Sequence, residues 1–178
     1  MTSINENQPE KNHEDLSGRA AIEQVRTIVE KAETCFFCSK TSVEGSSGAR
    51  PMNVREVDEA GSLWFLSAVD SHLNQELAID PSVTLYLQGS PHSDFLQIKG
   101  RATITTDKAR ITKLWHPIIN TWFTEGVDDP RITVIKVTPT DGFYWDTKHG
   151  NFVSGVKMLL GAMVGQTLDD SIEGKLAF

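Results

Sequence analysis

Two runs, "SVTLYLQG" and "DFLQIKGRATITT", alternate apolar and polar side chains with hardly a break, and this period of two constrains the fold more than any other feature of the chain. In the first, Val83, Leu85 and Leu87 share a face opposite Thr84, Tyr86 and Gln88. In the second, Leu96, Ile98, Gly100, Ala102 and Ile104 oppose Gln97, Lys99, Arg101 and Thr103. The link "GSPHSD" is too short for a crossover, so the two strands are antiparallel. Gly100 and Ala102, small residues inside the apolar face, predict a bend or a close approach of backbones such as a barrel needs at its corners.

Further strands follow the same logic. "TCFFCSK" is joined by the flexible "VEGSSG" to "ARPMNVREV", the turn "DEAGS" leads into "SLWFLSA", and "RITVIKVTPTDGFYW" is strand again. Helical spacing recurs between them. Ile22, Val25, Val29 and Ala32 predict an amphipathic helix from Ala20 to about Glu33. In "DSHLNQELAIDP", Asp70 or Ser71 caps a short helix with Leu73 and Leu77 on one face and Pro81 as its stop. Ile111, Leu114 and Trp115 precede a break at Pro117, after which Ile119, Trp122 and Phe123 form a further face. Phe152, Val156, Leu159, Leu160 and Met163 predict a last helix over 152–164. The expected fold is mainly β: a six-stranded antiparallel barrel with peripheral helices, occupying residues 19–178 as one domain after a mobile polar tail, 1–18.

Charge and composition exclude several classes of function. A net charge of −7 disfavours binding along a nucleic-acid backbone, and no apolar run approaches the roughly 20 residues that cross a bilayer. The polar opening "MTSINENQPEKNHEDLSG" shows no signal pattern, which makes the cytoplasm the expected compartment. Cys35 and Cys38 lie three apart in a strand, where they face opposite sides, and read as reduced structural thiols. His13, His72, His92, His116 and His149 are scattered without ligand spacing, so no metal is expected. No GxSxG, Walker, GxGxxG or HExxH motif is present.

What remains is a strand–turn–helix unit, "LWFLSAVDSHLNQEL", and the strand before it, in which Arg50, Met52 and Val54 share one face. A guanidinium heading an otherwise apolar face needs a reason. One is a phosphate cradle: the helix start offers free N–H groups, Ser67 and Ser71 add hydroxyls, and a planar arginine fork binds two phosphate oxygens. The other is plain structure, with Arg50 reaching out to solvent and Ser71 capping a helix.

The order and spacing of "GARPMNV", "GSLWFLSAVDSHLNQELAIDPSVTLYLQ" and "FLQIKGRATITTDKARITKLWHPIINTWFTEGVDDPRITVIKVTPTDGFYWD", together with the closing "LDDSIEGKL", resemble the general stress protein branch of the pyridoxamine 5'-phosphate oxidase-like, FMN-binding split-barrel family. The resemblance implies a homodimer with FMN at the subunit interface. It matches Arg50 to the arginine at the FMN phosphate, Met52 and Asn53 to the strand along the flavin, Leu66 and Ser67 to the next strand, and Ser71 and His72 to the phosphate turn. Gln88 is a candidate for the ring edge or a solvated strand residue. Trp115, Trp122 and Trp145 are candidates for the cleft wall, the dimer contact or the core. In one respect the chain departs from the pattern: His72 and Leu73 stand where many relatives place a lysine or arginine, and Asp70 adds a negative charge. The implied function is that of an FMN-dependent oxidoreductase using NAD(P)H or another small electron donor. Alternatives are a non-catalytic FMN-binding or stress-sensing protein, or a barrel that has lost FMN or takes another flat ligand.

Overall fold

The computed structural model describes residues 12–148 and 171–178. Helix α1, Arg19–Ala32, buries the stripe Ala21, Val25, Ile28 and Val29, and it stops where Glu33 turns to a φ of 56°. Three antiparallel neighbours follow from the alternating runs: β2 (Thr34–Ser39), β6 (Ser82–Gln88) and β7 (Phe95–Thr105). Strand β3 (Ala49–Asn53) pairs with β2 on the other side. After a break at Val54–Arg55, β4 (Glu56–Val57) pairs with β5 (Leu63–Ala68). The long strand β8, Ile132–Thr147, closes the arrangement because its first half pairs with both β5 and the end of β7. Hydrogen bonding thus runs β2–β6–β7–β8–β5–β4, and the backbone between β4 and β3 returns it to β2. This is a split barrel, open at the break in that one segment.

Gly100 behaves as its place in the alternation predicts. The β7–β8 register shifts between Lys99 and Gly100, and a Cβ on Gly100 would come 2.6 Å from the Thr138 carbonyl oxygen. The strands touch there, and beyond this irregularity the second half of β8 stays paired with β7 on one side and pairs on the other with β9, Ser171–Ala177.

Among the described residues the sheet contains nine strands, not the six expected from sequence. One addition comes from "ARPMNVREV", which breaks into β3 and β4 because Val54 N–H donates to the Glu33 carbonyl and Arg55 N–H to that of Trp64, so the two ends serve different neighbours. Two others, β9 and the short β1 (Leu16–Ser17), extend the sheet beyond β8. Residues 12–18, expected to be part of a loose tail, are paired: Leu16 and Ser17 lie parallel to Leu176 and Ala177, and the Tyr144 hydroxyl donates to the Glu14 carbonyl. Backbone pairing to a sheet edge needs no side-chain periodicity, so the polar sequence concealed it. The helix expected over 152–164, like residues 1–11, lies outside the described residues.

The main core fills the barrel and the undersides of α1 and α2 (His72–Ile79) with residues such as Phe37, Phe65, Leu85 and Ile98. A second cluster, around Ile111, Leu114 and Phe123, packs α3 (Lys108–Leu114) and the 3-10 turn Pro117–Thr121 against β5 and β8.

Candidate functional site

Strand β3 alternates, so Arg50 and Met52 look inward while Pro51 and Asn53 look outward. Arg50 lies opposite the fully buried Phe37. What it meets is a carboxylate. Arg50 Nη2 donates to Glu76 Oε2 at 2.7 Å and to Ser46 Oγ at 2.9 Å, while the Ser39 and Ser46 hydroxyls donate to the two oxygens of the same carboxylate. The side chain of Glu76 is 0% exposed and that of Arg50 20%. Burial pushes the Glu76 carboxyl up, but the hydroxyls of Ser39 and Ser46 and the guanidinium outweigh it and hold it below the ordinary glutamate value. The charge at the head of the apolar face therefore answers a buried anion on α2. The other guanidinium nitrogen, Nη1, is buried without an acceptor among the described residues.

Helix α2 follows β5 directly. Ser71 caps it, accepting from Asn74 N–H at 3.2 Å, and the Ser71 hydroxyl lies 3.1 Å from that of Ser67. Thr133 on β8 supports this corner: its hydroxyl donates to the Ser67 carbonyl at 3.1 Å and accepts from Asn74 Nδ2 at 2.9 Å. His72 packs beside Gly45 in the β2–β3 loop, where a Cβ would lie 3.7 Å from the imidazole. Leu73 is 2% exposed and belongs to the main core. Its position is one of packing, which explains why no cation stands there.

Met52, Asn53, Leu66 and Ser67 line one cleft of about 700 Å³ together with Arg55, His116, Ile118 and Trp122. Its floor is fixed by hydrogen bonds from three elements. Asn53 Nδ2 donates to the Glu33 carbonyl at 3.1 Å, Arg55 Nη1 to Asn53 Oδ1 at 2.8 Å, and Arg55 Nε to the Leu114 carbonyl at 3.2 Å. The far wall is the 3-10 turn, started by His116, whose ring accepts from Ile118 N–H. Ile118 and Trp122, 61% and 65% exposed, overhang the opening.

The structure thus brings together Met52, Asn53, Leu66 and Ser67 in the cleft, and Arg50, Ser71 and His72 around α2. Gln88 and Trp115 lie elsewhere. Gln88 donates to the Ser90 carbonyl and borders a separate hollow of about 580 Å³ with Phe36, Tyr86 and Trp145. Trp115 ends α3 and packs on the second cluster. Burial pushes the Cys35 thiol up to about 12, with Cys38 adding to the effect, as suits an inert core residue. Among the described residues no group of three His, Cys, Asp or Glu could hold a metal ion. Arg55 and Ile118 have no counterpart in the sequence reading. Arg55 is hard to find because it sits at the strand break, which is set by backbone partners and leaves no mark in the side-chain pattern.

A flat phosphorylated ligand such as FMN fits these groups. Met52 and Leu66 offer apolar contact and the Ser67–Ser71 pair offers hydroxyl donors at a helix start. Comparison with known proteins gives the family. Residues 20–169 match the model of the family described as pyridoxamine 5'-phosphate oxidase like. The chain belongs to that family. Among curated proteins it is 25% identical over 132 residues to Protein bli-3 of Neurospora crassa, a match covering 69% of this chain and 63% of that longer relative. A general stress protein 26 structure from Jannaschia sp. CCS1 superposes with a TM-score of 0.72 at 19% identity, covering 88% of this chain and 97% of that one. The general stress FMN/FAD binding protein of Xanthomonas citri superposes with a TM-score of 0.54 at 24% identity, over 65% of this chain and 82% of that one. The likenesses to these solved structures establish the fold.

Proposed function

We propose that the protein is an FMN-binding flavoprotein, homodimeric, that passes electrons between a small donor such as NAD(P)H and an acceptor. The observation that carries this reading is the convergence of the strand pair Met52–Asn53 and Leu66–Ser67 on one cleft, where the Ser67 hydroxyl meets that of Ser71 at the start of α2. Membership of the family and the FMN/FAD binding of the Xanthomonas protein support the choice of ligand. Bound flavin would supply the hydride or electron chemistry. The chain's own residues bind and orient: Ser67 and Ser71 hold the phosphate, Met52 and Leu66 flank the ring, and Trp122 with Ile118 screens the opening from water. No proton need be moved by a side chain.

The second subunit is supported by the outer face of the sheet. Pro51, Phe36 and Tyr86 are neighbours across β3, β2 and β6, and Phe36, Tyr86 and Trp145 are all exposed. Such an aromatic row covers well in a two-fold contact. A second reading, a barrel that holds no FMN, draws on the buried Leu73 and the Glu76 carboxylate beside Arg50.

The test is the absorbance spectrum of freshly purified protein, a titration with FMN, and addition of NADPH without oxygen. A flavin spectrum or saturable quenching of FMN fluorescence is expected, followed by bleaching on NADPH. Quenching without bleaching makes it a binder without turnover. Colourless protein that leaves FMN fluorescence unchanged refutes the flavin reading.

A further inference from the structure

The guanidiniums of Arg50, Arg110 and Arg131 each lie within ion-pair distance of a carboxylate, on Glu76, Glu56 and Asp129 respectively. Arg55 is different. It forms no ion pair among the described residues, and its side chain is held by two neutral oxygens: Nε donates to the Leu114 carbonyl at 3.2 Å and Nη1 to Asn53 Oδ1 at 2.8 Å. Its backbone is fixed too, with the N–H donating to the Trp64 carbonyl at 2.8 Å. Nη2 has no partner among the described residues, yet it is not shut away from solvent as Arg50 Nη1 and Arg110 Nε are. Arg55 is thus a positioned cation with its charge intact, and it lines the cleft of about 700 Å³ beside the apolar Met52, Leu66, Ile118 and Trp122. Glu33 borders the same cleft but lies beyond ion-pair distance of it.

We propose that this cleft takes a small organic carboxylate with a flat apolar body, and that Arg55 is the residue that selects it. This rests on the reading of the cleft as the flavin site, and it names the class of substrate that meets the flavin there. A guanidinium already fixed at two points gives up little freedom on binding, and beside apolar walls its attraction for an anion is screened less than in open water. The ligand's body has Trp122 and Ile118 to lie against. His116, on the same wall, supplies a second donor: its Nδ1 accepts from the Ile118 N–H, so the ring proton sits on Nε2. The flavin phosphate has its own end of the cleft. Ser67, which begins the hydroxyl pair, lies three residues beyond the Trp64 partner of Arg55 on β5, about 10 Å of strand.

Calorimetric titration of the FMN-saturated protein with benzoate, and with its neutral counterpart benzamide, tests this. Benzoate is expected to bind about tenfold more tightly than benzamide, the gain of a charge-assisted over a neutral hydrogen bond. Raising salt from about 20 to about 300 mM should weaken benzoate severalfold and leave benzamide alone. In Arg55→Gln the preference should collapse to near unity through weaker benzoate binding, and Arg55→Lys, which keeps the charge without the fork, should recover part of it. A merely structural arginine would affect the two probes alike. Equal affinities in the unaltered protein, an unchanged preference in Arg55→Gln, or no saturable benzoate binding up to about 20 mM each overturn the proposal, while an undisturbed FMN titration leaves the flavin reading standing. If Arg55→Gln weakens FMN about tenfold but spares riboflavin, the guanidinium holds the flavin phosphate and its substrate role falls. If the unaltered protein takes no FMN, the flavin reading falls, and the two probes applied to the flavin-free cleft decide the carboxylate preference by themselves. Should Arg55→Gln fail to fold, the preference in the unaltered protein and its salt dependence still decide.

Discussion

The two faces of β3 do opposite work within five residues. Inward, Arg50 is locked to a buried carboxylate on α2; outward, Asn53 borders an open cleft whose other wall is two exposed apolar side chains. The inward face is a problem of charge burial, in which each group is tolerated because of the other. The outward face is nearly free of stability constraints, and so it is free to bind. Strand alternation allows both on one segment, because neighbours in sequence belong to different environments.

The sharpest way to break the inward face is to remove one partner. Arg50→Met leaves the Glu76 carboxylate buried and unpaired, and is expected to cost about 3–5 kcal/mol of folding stability in urea denaturation. Replacing both residues, as Arg50→Met/Glu76→Leu, should recover at least half of that loss, because the charge that suffered is gone. If the double variant is no better than the single one, the pair is not the coupled unit described here.

Acid probes the same face more gently, since a protonated Glu76 is neutral. Its folded carboxyl titrates below the ordinary 4.5, as burial is outweighed by Ser39, Ser46 and Arg50, and the pair's contribution is therefore complete above about pH 4.5 and lost as pH falls through the depressed folded value. Asp94 behaves likewise below its ordinary 3.8, burial being offset there by Lys31 and Ser93. Stability measured against pH should decline on this acid side, and Glu76→Gln should flatten the decline. An identical acid limb in that variant would show that Glu76 is not depressed by the fold.

The outward face should respond in binding before it responds in stability. Ser67 has one side-chain hydrogen bond, to Ser71. Ser67→Ala should weaken FMN about tenfold, a loss of about 1.4 kcal/mol, while moving the urea midpoint far less than the Arg50 substitution does. Unchanged FMN affinity would remove the serine pair from the phosphate site.

How much of this the sequence showed follows the same division. Alternation located β6 and β7, and the Gly100 close approach, because those strands have one buried face and write it in every second residue, whereas β2 and β5 were legible as short apolar runs between turns. It merged β3 with β4, since the break at Val54–Arg55 is a matter of backbone partners rather than side-chain types. It left β1 unseen for the same reason. At the site, Met52, Asn53, Leu66 and Ser67 were legible from the resemblance, and the cleft gathers them. Glu76 was not. A glutamate on a short helix between leucines reads as solvated, and only the packing of α2 onto Ser39 and Ser46 reveals it as the reason for Arg50. Long-range partners of a charge, 26 residues apart here, carry no local pattern.

The smallest effect belongs to the rim, where Trp122 and Phe123 repeat the contrast between neighbours. Phe123 is buried in the second cluster under the Arg131 guanidinium, 5.6 Å from its ring, whereas Trp122 is mostly exposed over the cleft. Trp122→Ala removes an indole that holds little of the core, so its stability cost should stay within about 0.5 kcal/mol. If the ring screens a bound flavin, the same change should weaken FMN about twofold and reduce the quenching of protein fluorescence on FMN addition, because of the chain's four tryptophans the one lining the cleft is gone. A large fall in stability would mean that the indole packs in solution where the structure leaves it open. Unaltered quenching would place the flavin away from this wall, and would confine any cofactor to the α2 side of β3.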